Sequence, residues 1–596
     1  MTRSGSGGRG FGAQEGFGCA ALALALSLMA SASGGLRGEL VNPDSAMRLV
    51  RLRDMLAVGR TLEGVARDGS GAGVALHWSH LMDSLLLALA APLVPGMGWD
   101  GALRLVATGF GPLCMGALGA ALAWAVAPLA ERRWRWLAPV AASVALPVAA
   151  YGVPGVVHHH VLLALCAAMV AGWAGRAVAA VPGAGRSAGA WAAAGLWLSP
   201  ETVPFTLAAL AVILVAWIAQ PGIVQPGARR LAAEARSAGT WFLVVAAAAL
   251  AADPPPAAPL TPAVDRISTA WLLLAAACCA AGWLAWLAAA RGSGRRAALL
   301  GALGALLPLL AWFAAFPKVL LGPGALMPPA EAHAFLDVIA EMQPVAGLGE
   351  AVQFLATGVL AAGLAAMLAW RARARPARAW PWAWAALCAA ASVALGAWHV
   401  RFATYPAALG AMALPVALTW CGQAMPRRAT ADPVAMARPA LLALFLAVPM
   451  AGAVGPLAPE AAAAPAGCAR PPSAALLAPA ARQVVLADPG EAPDLLYRTD
   501  VLTVGSLYHR GIAAYMRNRA AWRSLAAGEA VPAELRAAKA EWVLLCRDSA
   551  RSPLVADLPE ETLEDRLRRG APPPWLQPAG TDAAGWALWR VAASSP

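Results

Sequence analysis

The chain has 596 residues, of which 60% are hydrophobic and only 13% are charged, and its mean hydropathy is +0.61. Soluble globular proteins are nearer half apolar and a quarter charged, so this composition excludes that class and indicates a polytopic membrane protein. The formal charge of +12 does not indicate a nucleic-acid-binding surface, because the basic residues lie in short arginine clusters between apolar runs.

The arginine clusters allow the apolar runs to be threaded through a membrane. If every cluster lies in the cytoplasm, an even number of crossings separates successive clusters. This rule predicts about thirteen crossings, with the N terminus inside and the C terminus outside the cytoplasmic (inner) membrane. The first is predicted to be a retained helix, although its Ala-Ser-Ala sequence resembles a signal-peptide cleavage site. The predicted crossings are residues 17–35, 102–130, 136–152, 161–180, 187–199, 203–220, 239–252, 269–290, 297–315, 350–370, 380–398, 404–423 and 439–457.

One apolar run, residues 80–96, does not fit this alternation. It is short and ends in the sequence APLVPG, so we predict an amphipathic helix at the outer surface rather than a crossing. It belongs to a first outer loop, residues 36–101, which also contains the stretch NPDSAMRLVRLRD. Within that stretch Asp44 is followed by Arg48 and Arg51, whose spacing places them on nearly one helical face.

The nine cysteines show no pairing pattern and no Cys-x-x-Cys motif, so neither a zinc knuckle nor a redox motif is predicted. Most are expected to serve as small hydrophobic residues. Those inside apolar runs are Cys114, Cys166, Cys278, Cys279, Cys388 and Cys421.

The C-terminal part of the chain differs in kind from the rest. The stretches RQVVLAD, DVLTVGS and EWVLLCRD have the pattern of short buried strands, and YHRGIAAYMRNRAAW and PAELRAAKA that of helices. Their alternation predicts an α/β domain at residues 481–596, outside the membrane. The Ala- and Pro-rich residues 458–480 are predicted to be its linker, which follows a transmembrane domain at residues 1–457.

The predicted membrane topology places several ionisable residues at the same outer face. They are Asp44, the triplet His158–His160, Asp337 and Glu341 of the stretch DVIAEMQP, and His399 and Arg401. Carboxylates with imidazoles suit a divalent cation such as Mn²⁺ or Mg²⁺, which in turn suits a phosphate leaving group. Each residue alone has a simpler explanation. Asp44 can cap a helix, the histidines can lie at the membrane interface, Glu341 can be a solvated acid, and Arg401 can reach lipid head groups.

These stretches resemble the C-type glycosyltransferase superfamily, and within it the catalytic subunit of oligosaccharyltransferase and its bacterial relatives. NPDSAMRLVRLRD is similar to the motif of the family's first outer loop, and HWSHLMDSLLLALAAPL to the segment that follows it. The resemblance implies an α-helical membrane fold with about thirteen crossings and a C-terminal domain outside the membrane. It also implies that Asp44 is the catalytic aspartate and a metal ligand.

Other site residues follow from the same resemblance. GVVHHHVLL stands where the family has an acidic or mixed pair, so His158 and His160 become the metal-facing pair and His159 points away. VIAE matches the family's motif before the tenth crossing, which makes Glu341 a metal ligand. Arg401 is matched to the arginine that binds the lipid pyrophosphate, and Arg48 is also taken as substrate-binding. The family's Trp-Trp-Asp-Tyr-Gly signature does not occur, and LLYRTDVLTVGSLYHRGIA occupies the tail instead.

The resemblance therefore predicts an inverting glycosyltransferase with a lipid-linked sugar donor, an unidentified acceptor and a Mn²⁺ or Mg²⁺ cofactor. It does not predict protein N-glycosylation. Two alternatives stay open at this point. One is a transporter or flippase of lipid-linked sugars, which the absence of matching Gly/Pro-broken helices and the soluble tail disfavour. The other is a catalytically inactive scaffold of the same fold, which His158 in place of an aspartate allows.

Overall fold

The structure is a computed structural model that describes residues 10–30, 35–220, 226–256, 258–291, 295–424, 433–450, 468, 470–525, 528, 530–559 and 561–592. Up to residue 450 the described chain is almost entirely helical. Its α-helices are α1 (Ala13–Met29), α2 (Pro43–Val58), α3 (His80–Ala90), α4 (Val94–Val126), α5 (Leu137–Val144), α6 (Leu146–Ala149), α7 (His160–Val178), α8 (Ala184–Leu198), α9 (Val203–Ile218), α10 (Pro226–Ala252), α11 (Thr269–Arg291), α12 (Arg295–Ala315), α13 (Pro329–Leu336), α14 (Gly347–Arg371), α15 (Pro376–Trp398), α16 (Thr404–Ala424) and α17 (Pro433–Leu442).

Eight helical segments of the described chain are long and apolar enough to cross a membrane, so the chain is a multi-pass membrane protein. They are His80–Val126, His160–Val178, Pro200–Ile218, Pro226–Ala252, Thr269–Arg291, Gly347–Arg371, Pro376–Trp398 and Val400–Gln423. Apart from 297–315, which coincides with α12, the other predicted crossings coincide with shorter or interrupted helices, and residues 31–34 and 451–457 of two of them lie outside the described residues. The count of thirteen therefore stays a prediction.

Two interruptions have a clear local cause. The predicted crossing 136–152 is divided into α5 and α6 because Ala145 is extended, with φ −79° and ψ 108°, and Pro147 lies in the first turn of the next helix. The apolar segment 80–126 is broken by a 3₁₀ turn after α3 and again at Gly98, whose φ of 67° is a left-handed conformation that favours glycine. The first part of this segment is thus a separate short helix, and its position at the membrane surface stays a prediction.

The C-terminal region forms the α/β fold that the sequence predicts. Two short strands, β1 (Gly64–Val65) and β2 (Val74–Ala75), form a small hairpin in the outer loop, and the C-terminal strands are β3 (Val484–Leu486), β4 (Leu502–Thr503), β5 (Trp542–Cys546), β6 (Leu576–Thr581) and β7 (Trp586–Val591). The C-terminal sheet has the strand order β4-β3-β5-β7-β6, in which β4, β3 and β5 run parallel and β6 and β7 form an antiparallel hairpin. The helices are Ala474–Leu477, Ala492–Arg498, Ile512–Arg523, Ala533–Ala537 and Leu563–Arg568.

The segment predicted as a linker is partly packed against this sheet. Residues 458–467 lie outside the described residues. Leu476 and Leu477, by contrast, are buried in one cluster with Val485 of β3 and Leu544 of β5. The chain therefore joins the domain core several residues before the predicted boundary at 481.

A disulfide joins Cys468 to Cys546, so the expectation that the cysteines show no pairing was wrong. The two cysteines are 78 residues apart, and only the folded sheet brings them together. The other seven cysteines are free. Closing a loop of this length stabilises a fold by about 4 kcal/mol in the chain-entropy treatment. Disulfides persist in oxidising compartments, which supports an extracytoplasmic position for this domain.

This disulfide is testable in intact cells. We expect a bulky maleimide to add to seven cysteines of the denatured, unreduced chain and to nine after reduction, because Cys468 and Cys546 are oxidised outside the cytoplasm. The measurement is the mobility shift on a denaturing gel. Cys421→Ser is the control and should remove one adduct under both conditions. Nine adducts without reduction would place the domain in a reducing compartment and contradict the threading.

The C-terminal domain is held against the outer loop by backbone and side-chain contacts. Ser70 N–H donates to the Thr503 carbonyl at 2.8 Å and Thr503 N–H donates to the Arg67 carbonyl at 3.0 Å, which extends the sheet beyond β4. A second contact involves Asp265, in the loop between α10 and α11. It accepts two 2.8 Å hydrogen bonds from the Arg510 guanidinium and lies 2.7 Å from His509 Nε2. These contacts fix the segment that contains Tyr508 above the membrane part.

Candidate active site

The start of α2 positions Asp44. The Asn42 side chain caps this helix by accepting from Ser45 N–H at 2.8 Å, and Ser45 Oγ donates to the same oxygen at 2.6 Å. Ser45 Oγ also accepts from Val157 N–H at 2.7 Å. Val157 directly precedes the histidine triplet. These hydrogen bonds therefore place Asp44 opposite His158. The positive end of the helix dipole also favours an ionised Asp44 carboxylate in the first turn.

Both carboxylate oxygens of Asp44 accept hydrogen bonds. His158 Nδ1 accepts from His160 N–H at 3.4 Å, so the neutral ring carries its proton on Nε2 and donates it to Asp44 Oδ2 at 2.9 Å. The Tyr508 hydroxyl donates to Asp44 Oδ1, also at 2.9 Å. Burial raises the pKa of this carboxyl, but the hydrogen bonds from His158 and Tyr508 oppose it, and the pKa is lowered. Asp44 is therefore an ionised acceptor that stays 33% exposed.

The histidine triplet is more compact than predicted. The prediction that His159 points away is wrong, because its ring stacks on that of His158 with centroids 4.6 Å apart. The i, i+2 argument assumed an extended chain, whereas His159 is the N-cap of α7 in a helical conformation. The ring of His160 also stacks on His158, at 4.4 Å. Burial lowers the pKa of both His158 and His159. Positively charged neighbours add to this effect at His159, whereas at His158 the carboxylates of Asp44 and Glu341 oppose it without cancelling it, so both imidazoles are neutral near pH 7.

Glu341 and Arg401 reach the same place from two short 3₁₀ turns, Ala340–Met342 and Val400–Ala403. Glu341 Oε2 accepts from the Tyr151 hydroxyl at 3.1 Å and lies 3.7 Å from His160 Nε2. Arg401 Nη1 lies 3.7 Å from Glu341 Oε1. Burial raises the pKa of Glu341, but Arg401 and His160 hold it well below its ordinary value. Glu341 is 32% exposed, so a second carboxylate of the site is partly accessible.

Arg48 is placed differently from the other predicted residues. Its guanidinium is buried and forms a 3.1 Å ion pair with Asp83 of α3, which Arg51 also binds at 2.5 Å. Arg48 further lies over the Trp78 ring, 4.3 Å from its centroid. The structure therefore brings Asp44, His158, His160, Glu341 and Arg401 together, while Arg48 supports the loop beside them. Its role in binding substrate stays a prediction.

Three residues that sequence reasoning missed complete the cluster, namely Tyr151, Glu201 and Tyr508. Glu201 forms an ion pair with Arg401 and lies 3.0 Å from His160 Nδ1. A signal for Glu201 existed, because an ionisable residue between two apolar runs is costly and generally functional. Tyr508 is 464 residues away from Asp44 along the chain, and no local pattern predicts such a contact.

The donor set fits a divalent cation. One ring nitrogen from each of His158, His159 and His160 lies within 4.8 Å of the others, and the carboxylates of Asp44 and Glu341 adjoin them. His160 Nε2 is buried and has no hydrogen-bond partner among the described residues, so this atom can engage a ligand without the loss of a hydrogen bond. Imidazole nitrogens suit first-row transition ions better than Mg²⁺. The donors therefore favour Mn²⁺ over Mg²⁺, the other predicted ion. They also suit the heavier first-row transition ions.

The chain matches no protein-family model and no curated protein sequence. Its fold matches solved structures of the archaeal oligosaccharyltransferase AglB from Archaeoglobus fulgidus. The structure with an inhibitory peptide and a dolichol-phosphate gives a TM-score of 0.64 at 13% identity, covering 89% of this chain and 69% of that one. The structure with Zn and sulfate gives a TM-score of 0.63 at 12% identity, covering 89% and 67%. The predicted resemblance is thus confirmed at the level of the fold: the chain has a fold similar to that of the archaeal oligosaccharyltransferase AglB.

Proposed function

We propose that this protein is a membrane glycosyltransferase that moves a sugar or oligosaccharide from a polyprenyl-phosphate-linked donor to an acceptor outside the cytoplasmic membrane. The observation that carries the proposal is the convergence of two ionised, partly exposed carboxylates, Asp44 and Glu341, with buried imidazoles and Arg401. These groups come from four separate segments of the chain, whereas an ion pair with a purely structural role needs groups from only two. The oligosaccharyltransferase-related fold supports the same class of reaction.

Each group has a role in the transfer. The acceptor attacks the anomeric carbon of the donor sugar, the bond from that carbon to the phosphate oxygen breaks, and the phosphate leaves with the bonding electrons. Asp44 takes the acceptor's proton or orients the attacking atom, and Tyr508 holds the carboxylate in place. Arg401 compensates the negative charge of the phosphate. A divalent cation held by Asp44, His158, His160 and Glu341 would supply further charge neutralisation at the leaving phosphate.

The location and the partners follow from this proposal. The arginine threading and the disulfide support a catalytic face outside the inner membrane. AglB has been solved with a dolichol-phosphate and with an inhibitory peptide, and we propose a lipid-linked donor of that chemistry for this chain. A peptide acceptor is not part of the proposal, because the Trp-Trp-Asp-Tyr-Gly signature is absent.

The test is donor cleavage by the full chain in detergent, with a radiolabelled lipid-linked sugar extract from the host membranes. We expect a chelator to slow cleavage at least about 100-fold and added Mn²⁺ or Zn²⁺ to restore it, because a bound cation stabilises the leaving phosphate by several kcal/mol. Mg²⁺ should restore less. Passage of intact donor across sealed vesicles without cleavage would favour the transporter. No cleavage with any ion, by a chain that binds the ion, would favour the inactive scaffold.

A further inference from the structure

The segment that contains Tyr508 is bound on both sides by carboxylates of two different outer loops. The first is Asp68, in the turn between β1 and β2, which is fully buried. Its Oδ1 accepts from Thr503 Oγ1 at 2.9 Å and from Gly69 N–H at 2.8 Å, and its Oδ2 accepts from the Ser506 hydroxyl. Asp68 therefore holds the chain at two points just before Tyr508.

A path of hydrogen bonds leads from Asp68 to the candidate site. The Ser506 carbonyl accepts from Tyr508 N–H at 3.0 Å, so the residue that binds Asp68 also binds the backbone of Tyr508. The Tyr508 hydroxyl then donates to Asp44 at 2.9 Å. The Tyr508 ring also packs edge-on against Trp78, with centroids 5.2 Å apart. The outer loop thus contacts this segment at its backbone, its ring and its hydroxyl.

The second carboxylate, Asp265, holds the residues just after Tyr508. Its side chain is 2% exposed and binds His509 and Arg510, the next two residues of the chain. Gly511 N–H donates back to the Tyr508 carbonyl at 2.7 Å. Burying a carboxylate is costly unless hydrogen bonds compensate it, and apolar side chains would dock the domain without that cost. Two buried carboxylates at this place therefore indicate that the segment needs one defined position.

We propose that Asp68 and Asp265 are positioning residues, which hold Tyr508 at hydrogen-bond distance from Asp44 by fixing the chain on either side of it. The inference rests on the proposed function only in that it takes Asp44 as the catalytic carboxylate. Hydrogen bonds to oxygen are generally shorter than about 3.2 Å, so a small shift of the Tyr508 backbone breaks the bond to Asp44. Each carboxylate restrains that backbone from one direction.

The test observes Tyr508 itself and needs no sugar transfer. The chain has five tyrosines, so the full chain labelled with fluorotyrosine gives a simple fluorine NMR spectrum in detergent. The resonance that is absent from Tyr508→Phe belongs to Tyr508. We expect Asp68→Ala and Asp265→Ala each to shift this resonance toward its position in the denatured chain. Ser506→Ala removes one of the same bonds with less effect on folding and should shift the resonance in the same direction.

Two conservative variants separate positioning from loss of folding. Asp68→Asn can keep its oxygen toward Gly69 N–H and turn its NH₂ group to the Ser506 hydroxyl, which can accept, so the Tyr508 resonance should stay in place. Asp265→Asn places an NH₂ group beside the Arg510 guanidinium, which only donates, and should give an intermediate shift. Where an alanine variant does not fold, Ser506→Ala and Asp265→Asn decide the test.

Asp565→Ala is the matched control, because Asp565 is another buried carboxylate of the C-terminal domain, which accepts from the Arg551 guanidinium at 2.8 and 3.1 Å. It should leave the Tyr508 resonance unchanged. An unshifted resonance in either Asp68→Ala or Asp265→Ala, or an equal shift in the control, would overturn the inference. Shifted resonances together with absent donor cleavage by the wild type would uphold it and reject the proposed function instead.

Donor cleavage gives a second readout, which a purely structural role would not produce. Asp68→Ala should lower cleavage about 2- to 10-fold, as expected for the loss of about one hydrogen bond. The same change made in Tyr508→Phe should cost nothing further, because the hydroxyl through which it acts is already absent. Equal losses in the two backgrounds would show that Asp68 acts on folding alone and would also overturn the inference.

Discussion

Asp44→Asn is expected to reduce donor cleavage about 1,000-fold or more while the protein stays folded. The amide has the shape of the carboxylate but lacks its charge and basicity, and general-base groups contribute about 10² to 10⁴ in rate. The measurements are donor cleavage by the purified variant and its thermal unfolding in detergent.

The control for this prediction is Asp54→Asn, which changes the same residue type about 15 Å further along the axis of α2. It should cleave donor at the wild-type rate. Tyr508→Phe removes one donor to the carboxylate and should cost about 10- to 100-fold, as expected for a hydrogen bond to a charged group. If Asp44→Asn keeps a tenth of wild-type activity or more, the assignment of the catalytic carboxylate is wrong.

The second large effect is expected on folding. Asp83→Ala should destabilise the protein by about 3–5 kcal/mol, because it removes the shared carboxylate of two guanidinium groups that have no access to water. Arg48 is 2% exposed, Arg51 is fully buried, and Asp83 is 1% exposed. His80 Nδ1 also lies 3.1 Å from Asp83. The measurements are the yield of full-length protein in membranes and its thermal unfolding in detergent.

A surface pair provides the comparison. Glu131→Ala removes the partner of Arg133, whose side chain is 59% exposed, and such pairs contribute at most about 1 kcal/mol. A triple variant that replaces Asp83 with Leu and both Arg48 and Arg51 with Met should recover much of the lost stability, since the cost comes from unpaired buried charge. An Asp83→Ala protein that unfolds like Glu131→Ala would show that the two arginines find other partners.

The sequence predicts what depends on local pattern and on membrane topology. Asp44, His158, Glu341 and Arg401 lie at the ends of apolar runs, so counting crossings assigns them to one face before any contact is known. The strands β3, β4 and β5 were likewise predicted, because each is a short apolar run between turn residues. Both kinds of inference require only neighbours along the chain.

What the sequence did not predict depends on contacts between distant segments. The disulfide pairs cysteines 78 residues apart, and Tyr508 meets Asp44 only because the C-terminal domain packs on the outer loop. The hairpin of β6 and β7 closes the sheet through pairing with β5 that its own sequence does not specify. The error at His159 arose differently, because a period of two was applied to residues that begin a helix.

The contact between Tyr508 and Asp44 also has a consequence for biosynthesis. Asp44 lies in the first outer loop and is translated early, whereas Tyr508 follows all of the membrane helices. A ribosome that has delivered the membrane helices into the bilayer has therefore still produced only part of the candidate site. The Asp44 carboxylate gains its hydrogen bond from Tyr508 only after the C-terminal domain has been made and has folded.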